Sequence, residues 1–414
     1  MNRSRRKIIR ASLATFVLSF CDAVLPGTGG FAGQAVAAAP FHIGIVTGTS
    51  NQGAEDPLGA LEMIRLYGDV SHGGMVRHTT YPDNFADKRE ETVATIAAMA
   101  DDPLMKLVVV NQAVPGTAEG FLRIKKKRSD IICLAGGVME DPDVIAHAAD
   151  FAVESDFISR GYLIPHTARE LGVKTFVHLS FPRHMSYEML SRRRAIMEAA
   201  CQELGLAFVA LDAPDPLDVG VPAAQAYITG NFPAWLRQYG EKTAFFCTND
   251  AHTEPLLQQV AKRGGYFIEA DIPSPLMGYP QAFGIDLSGK TDDWPAILKK
   301  VEAAVIAAGG GGRMGTWAYS LGFCLTAGLA AFGKLIAEGK STLTSPRDLV
   351  QSFERFSPGA RWNGAFYTDL VTGKPVGNFF LVYQDTYIFG RGYMNVTSVE
   401  IPDRFLFIGG NTKR

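Results

Sequence analysis

The chain has 414 residues, 47% of them hydrophobic and 20% charged, with a formal net charge of -2. It is too long for one small core, which points to two lobes, and its composition is that of a globular protein rather than a disordered or fibrous one. The near-neutral balance gives no electrostatic ground for binding nucleic acid or an anionic membrane surface.

Residues 1–39 differ from the rest. Arg3, Arg5, Arg6, Lys7 and Arg10 make a basic start, Ala11 to Phe20 is apolar, and Asp22 interrupts it. The apolar part is about half of the ~20 residues a spanning helix needs. Ala35-Val36-Ala37 fits a small-residue cleavage site, so the segment reads as a removable export signal with a mature start near Ala38. Ser4 to Ile9 resembles a twin-arginine signal, and the Sec route stays open. Leu18-Ser19-Phe20-Cys21 resembles a lipoprotein box, but Phe20 stands where a small side chain belongs, which favours a soluble exported protein. The mature chain is therefore expected to be exported and not inserted in the membrane. Cleavage leaves Cys133, Cys201, Cys247 and Cys324, each alone in an apolar segment with no C-x-x-C pair, which reads as free buried thiols.

From residue 41 onward, short apolar strands alternate with helices. Ile43 to Val46 is β-branched and ends in the polar loop Thr47 to Gln52; Asp56-Pro57 then reads as an N-cap with proline in the first turn. Leu107 to Val110 ends in Asn111-Gln112-Ala113-Val114-Pro115-Gly116-Thr117. Ile131 to Ala135 and Phe151 to Val153 follow, the latter ending in Glu154-Ser155-Asp156. Then come a helix from about Leu163 to Leu171, a strand Thr175 to Leu179, a helix Tyr187 to Leu204, and strands Ala207 to Leu211, Thr243 to Cys247 and Tyr266 to Ile268. Such alternation implies right-handed βαβ units and parallel sheets. Periodicity alone allows an eight-stranded barrel or two separate sheets. The basic runs Arg123 to Arg128 and Arg192-Arg193-Arg194 read as solvated helix faces, since neither has interleaved aromatics. Trp362 to Tyr367, Asn378 to Phe389 and Val396 to Ile408 read as a β-rich tail.

Thr243 to Asp250, followed by a helix and Gly264-Gly265, resembles the strand, Asn-Asp turn and helix of type I periplasmic binding proteins. Ile43 to Thr47 is similar to that family's first strand, and Gln112 to Thr117 resembles an uncharacterised bacterial branch of the superfamily. The resemblance implies two doubly wound parallel-sheet α/β lobes and a periplasmic location; the β-rich C-terminal extension departs from that pattern. The expected first lobe is residues 40–156 plus a returning segment of about 275–330. The second is 157–274 plus about 331–414, with crossings near residues 157, 275 and 330.

Motifs for other chemistry fail on context. Gly310 to Gly315 matches G-x-G-x-x-G, but a helix-like segment rather than a strand precedes it, so it reads as a connection. No P-loop, nucleophile elbow or H-E-x-x-H occurs, and no cofactor, metal site or catalytic residue is expected. What remains is the set of polar strand ends, which parallel sheets place on one side. Thr47, Ser50, Asn51, Asn111, Gln112 and Thr117 form one expected wall of a cleft. His184, Asp212, Asn249, Asp250 and Asp271 form the other. Amides, hydroxyls and carboxylates there suit a small neutral or cationic polar metabolite. The expectation is an exported solute-binding protein serving an ABC-type permease complex. A ligand-sensing protein and a hydrolase or racemase using the same cleft are the alternatives.

Overall fold

The computed structural model describes residues 41–288 and 293–409; the expected export signal lies outside them. Strands β1 (His42–Thr47), β2 (Val76–Thr80), β3 (Met105–Ala113), β4 (Ile132–Val138) and β5 (Phe151–Ser155) come first. They are followed by β6 (Thr175–Ser180), β7 (Ala207–Asp212), β8 (Thr243–Cys247) and β9 (Gly315–Trp317). The last are β10 (Trp362–Thr368), β11 (Pro375–Gln384), β12 (Thr386–Ile388) and β13 (Gly392–Tyr393). One sheet has the order β10-β11-β5-β4-β3-β1-β2, parallel except for β10 against β11. A second has the parallel order β7-β6-β8. Bridges from Ala244 to Tyr266 and from Phe267 to Met314 carry it on toward the β13-β12-β9 ribbon. The strands make two doubly wound α/β lobes and not a closed barrel.

The β3 run Leu107 to Val110 is fully buried, as a central parallel strand covered on both faces must be. One cover is the helix Leu321–Ala337, apolar around most of its circumference. Small residues set its spacing: a Cβ on Gly333 would stand 2.5 Å from Leu107, and one on Gly328 would stand 2.1 Å from Phe353 of the helix Pro346–Phe356. Gly59 gives the helix Glu55–Tyr67 the same close approach to Thr326.

Several expectations need correction. The tail is divided between the lobes: β12 and β13 join β9 on the second, while β10 and β11 go to the first. β11 pairs with β5, Phe380 beside Val153, because the apolar run Phe379 to Val382 closes an otherwise open edge of the first sheet. The segment 275–317 stays with the second lobe, its helix Tyr279–Phe283 packing on the helix Asp250–Arg263. The crossings therefore fall after β5, between β9 and the helix Leu321–Ala337, and between β11 and β12. Val396 to Ile408 forms two 3-10 turns around Pro402 rather than a strand, with Phe405 against Tyr162 at 4.9 Å. Arg192 and Arg193 are buried: Arg192 pairs with Glu188, and Arg193 with Asp271. The run 123–128 is a solvated helix end, its charges paired with Glu90, Glu119, Asp150, Asp101 and Asp130. Gly310 to Gly315 turns the helix Trp294–Ala307 into β9, Gly312 donating to Phe389 O at 2.7 Å. All four cysteines among the described residues are buried and free.

Candidate functional site

The first wall of the cleft follows from where β1, β3 and β4 end. Thr47 is fully buried, its hydroxyl donating to Gly48 O at 2.8 Å and lying 2.9 Å from His78 Nε2. Ser50 and Asn51 are exposed on the loop, with Asn51 Nδ2 donating to Asp83 at 3.0 Å. Asn111 is fully buried and spends its amide group on Asp56 Oδ1 (3.2 Å), Gly322 O (3.0 Å) and Thr326 Oγ1 (2.8 Å). Gln112, joined to it by a cis peptide bond, is half-buried. Thr117 is buried and donates to Val114 O at 2.7 Å. The N-terminus of its helix is occupied from within: the Glu140 carboxylate accepts from Gly116 N at 2.9 Å and Ala118 N at 2.8 Å. Thr47, Asn111 and Thr117 thus hold the wall together, and Ser50, Asn51 and Gln112 are the residues open to it.

The second wall is built by β6, β8 and the turn after Ile268. The His184 ring stands over Phe181 with centroids 4.2 Å apart, and its Nδ1 lies 3.1 Å from Thr248 Oγ1. Burial holds its pKa below the ordinary 6.5, so the ring is neutral at neutral pH. Asn249 caps the helix Asp250–Arg263, its side-chain oxygen accepting from Ala251 N at 3.0 Å, which commits that oxygen to the fold. Asp212 is exposed at the end of the outer strand β7, paired in register with Ser180 of β6. Asp271 is buried against Arg193. Asp250 remains open to water, yet protein encloses it enough that desolvation, then the charges of Asp271 and Glu55, push its pKa up to about 7. Water contact together with a strong desolvation shift describes a carboxylate on the wall of a cleft.

Glu55, which sequence reasoning passed over, belongs to the opposite lobe and reaches across. Its carboxylate accepts from the Ser274 hydroxyl, and burial raises its pKa. Asp56 is not the expected N-cap; Ala54 holds that position. The Asp56 carboxylate is turned inward to Asn111, and desolvation followed by the Glu55 charge pushes its pKa to about 7. Glu154, at the end of β5, is held up at about 8 by burial. Adjacent acids opening a helix after a β1 loop, and an acid ending β5, were the available signals. Beneath the cleft, Arg160 locks the crossings: Nε donates to Glu269 at 2.7 Å, and the remaining nitrogens donate to Ser155 Oγ (2.8 Å), Asp271 O (2.8 Å) and Ala270 O (2.7 Å). Trp317 Nε1 and Thr386 Oγ1 both donate to the other Glu269 oxygen at 3.1 Å.

Among known proteins, an uncharacterized protein of Treponema pallidum (strain Nichols) is 40% identical over 211 residues, 51% of this chain and 95% of that one. A crystal structure from Clostridium difficile 630, of a protein proposed to be a transcriptional regulator, superposes with a TM-score of 0.73 at 19% identity. It covers 84% of this chain and 99% of its own, and shows the same fold. An ABC transporter periplasmic solute binding protein from Actinobacillus succinogenes 130z with bound D-allose gives a TM-score of 0.49 at 14% identity. It covers 73% of this chain and 93% of its own, too loose a likeness to argue from. A second family model matches residues 326–408. Over residues 41–315 the chain matches the family described as "Protein of unknown function (DUF3798)", and it belongs to that family.

Proposed function

We propose that the protein captures a small polar metabolite between its two lobes and, once exported to the periplasm, presents it to an ABC-type permease complex. The observation that carries this reading is the hydrogen bond from the Ser274 hydroxyl of the second lobe to Glu55 of the first, with Asp250 of the second lobe within the field of Glu55. These groups face one another across lobes joined by three crossings, the geometry in which ligand capture and hinge closure are one event. Among the described residues no helix is long and apolar enough to cross a membrane. Catalysis is the weaker reading. The Thr248 hydroxyl that His184 touches is already shared with Ser180 at 2.8 Å, so the pair does not make a free nucleophile and its base. A sensing role would use the same binding step with a different partner.

The test is native mass spectrometry of the protein purified from its own host, followed by rebinding of the released compound with small-angle scattering. Release of an unchanged compound that lowers the radius of gyration on rebinding supports capture. Chemical conversion of that compound by the protein would overturn it in favour of an enzyme.

A further inference from the structure

The cleft is acidic beyond what its own cations balance. Glu55, Asp56, Glu154 and Asp250 make no ion pair among the described residues, while the two buried guanidinium groups nearby are committed elsewhere, Arg193 to Asp271 and Arg160 to Glu269. His184 adds no charge, because burial keeps its ring neutral. Unpaired carboxylates in an enclosed site repel one another and lack the hydration they would have in water, so they are poised for a positive partner. A second feature points the same way. Tyr81, at the end of the β2 segment, is 1% exposed, yet its hydroxyl has no hydrogen-bond partner. That oxygen lies within the field of Asp56 and faces the turn leading to Glu55, where a Cβ on Gly48 would stand 3.2 Å from it.

The donor set excludes two other cargoes. Among the described residues no group of three or more His, Cys, Asp or Glu is placed to hold a metal ion. Three helix N-termini that could seat a phosphate are filled by the chain itself: Glu140 at Thr117, Asn249 at Asp250, and Ser320 at Leu321, where it accepts from Phe323 N at 3.2 Å. The uncapped N-terminus of the helix Glu55–Tyr67 opens on the Glu55 and Asp56 carboxylates, which repel a phosphate.

Resting on the capture function above, we infer that the ligand carries a protonated amine, and that Glu55 and Asp250, from opposite lobes, are its counter-charges, with the Tyr81 hydroxyl as a further acceptor. An ammonium has three donors and no acceptor, which matches carboxylates and a phenolic oxygen. Because its two counter-charges belong to different lobes, the cation favours the closed arrangement over the open one.

The experiment identifies the compound released from natively purified protein by mass spectrometry, then titrates it into wild type, Glu55→Gln and Asp250→Asn by calorimetry. Glucosamine, 1,4-diaminobutane and glucose serve as defined probes in parallel. The expected result is a compound with a basic nitrogen, and affinity lowered about ten- to hundred-fold in each variant. Among the probes, glucosamine or 1,4-diaminobutane should raise the melting temperature and glucose should not. Both substitutions are near-isosteric, and circular dichroism melts confirm that the variants fold. A bound compound with no basic nitrogen, or affinity unchanged in both variants, overturns the amine while leaving capture intact. No released compound, with no response to any probe, overturns the amine and capture together.

Discussion

Replacing Glu154 by Gln reads the electrostatics of the cleft floor through pH. Glu154 is 7% exposed, and burial holds its pKa at about 8 against an ordinary 4.5. Below pH 4.5 the carboxyl is neutral in both the folded and the unfolded chain and contributes nothing that varies with pH. As the pH rises toward 8, the unfolded chain gives up a proton that the fold retains, so the folded state loses about 1.4 kcal/mol of stability per pH unit. Across the whole window this penalty has a ceiling of ~5 kcal/mol, fully present only above about pH 8. Glutamine removes it but gives up one of the two backbone N–H groups the carboxylate accepts from, Ser155 at 2.5 Å and Val138. That loss costs about 1–2 kcal/mol at any pH. The ligand-free variant should therefore match wild type or fall slightly below it at pH 5, and exceed it by about 3 kcal/mol at pH 9. Urea denaturation followed by tryptophan fluorescence at the two pH values measures both differences. A stability difference of the same sign and size at pH 5 and pH 9 would refute the reasoning.

Arg160→Ala leaves the Glu269 carboxylate buried without its cation and should cost about 3–5 kcal/mol in denaturant unfolding; a cost under 1 kcal/mol would remove Arg160 from the role of lock. Gly328→Ala drives a methyl into the Phe353 ring, 2.1 Å from Cδ1, and should lower the melting temperature by an amount equivalent to about 1–3 kcal/mol. Burial pushes the thiols of Cys133, Cys201 and Cys247 up to about 12, so these three cysteines should resist a thiol reagent at pH 8 until denaturant is added. Rapid labelling of the native protein would contradict their burial.

The alternation of β-branched runs with helical spacing determined the α/β class, because period and strand length are local properties that burial on both faces merely repeats. The four cysteines were readable as buried thiols for the same reason: each sits in an apolar segment whose neighbours share its fate. The Asn249–Asp250 turn was also visible, although only the structure divided the pair, giving Asn249 to the helix cap and Asp250 to the cleft. Tertiary structure alone decided the lobe of the C-terminal strands, since β11 is apolar enough for either sheet and was claimed by the open edge of β5. It alone decided Arg193 as well. A basic triplet on a helix looks solvated until a carboxylate 78 positions along the chain, Asp271, is folded against it. Glu55 escaped notice in the sequence because its importance lies in a charge on the other lobe. Electrostatic partnership across a hinge has no spacing rule along the chain; it depends only on distance in space and on how much water the closing lobes exclude.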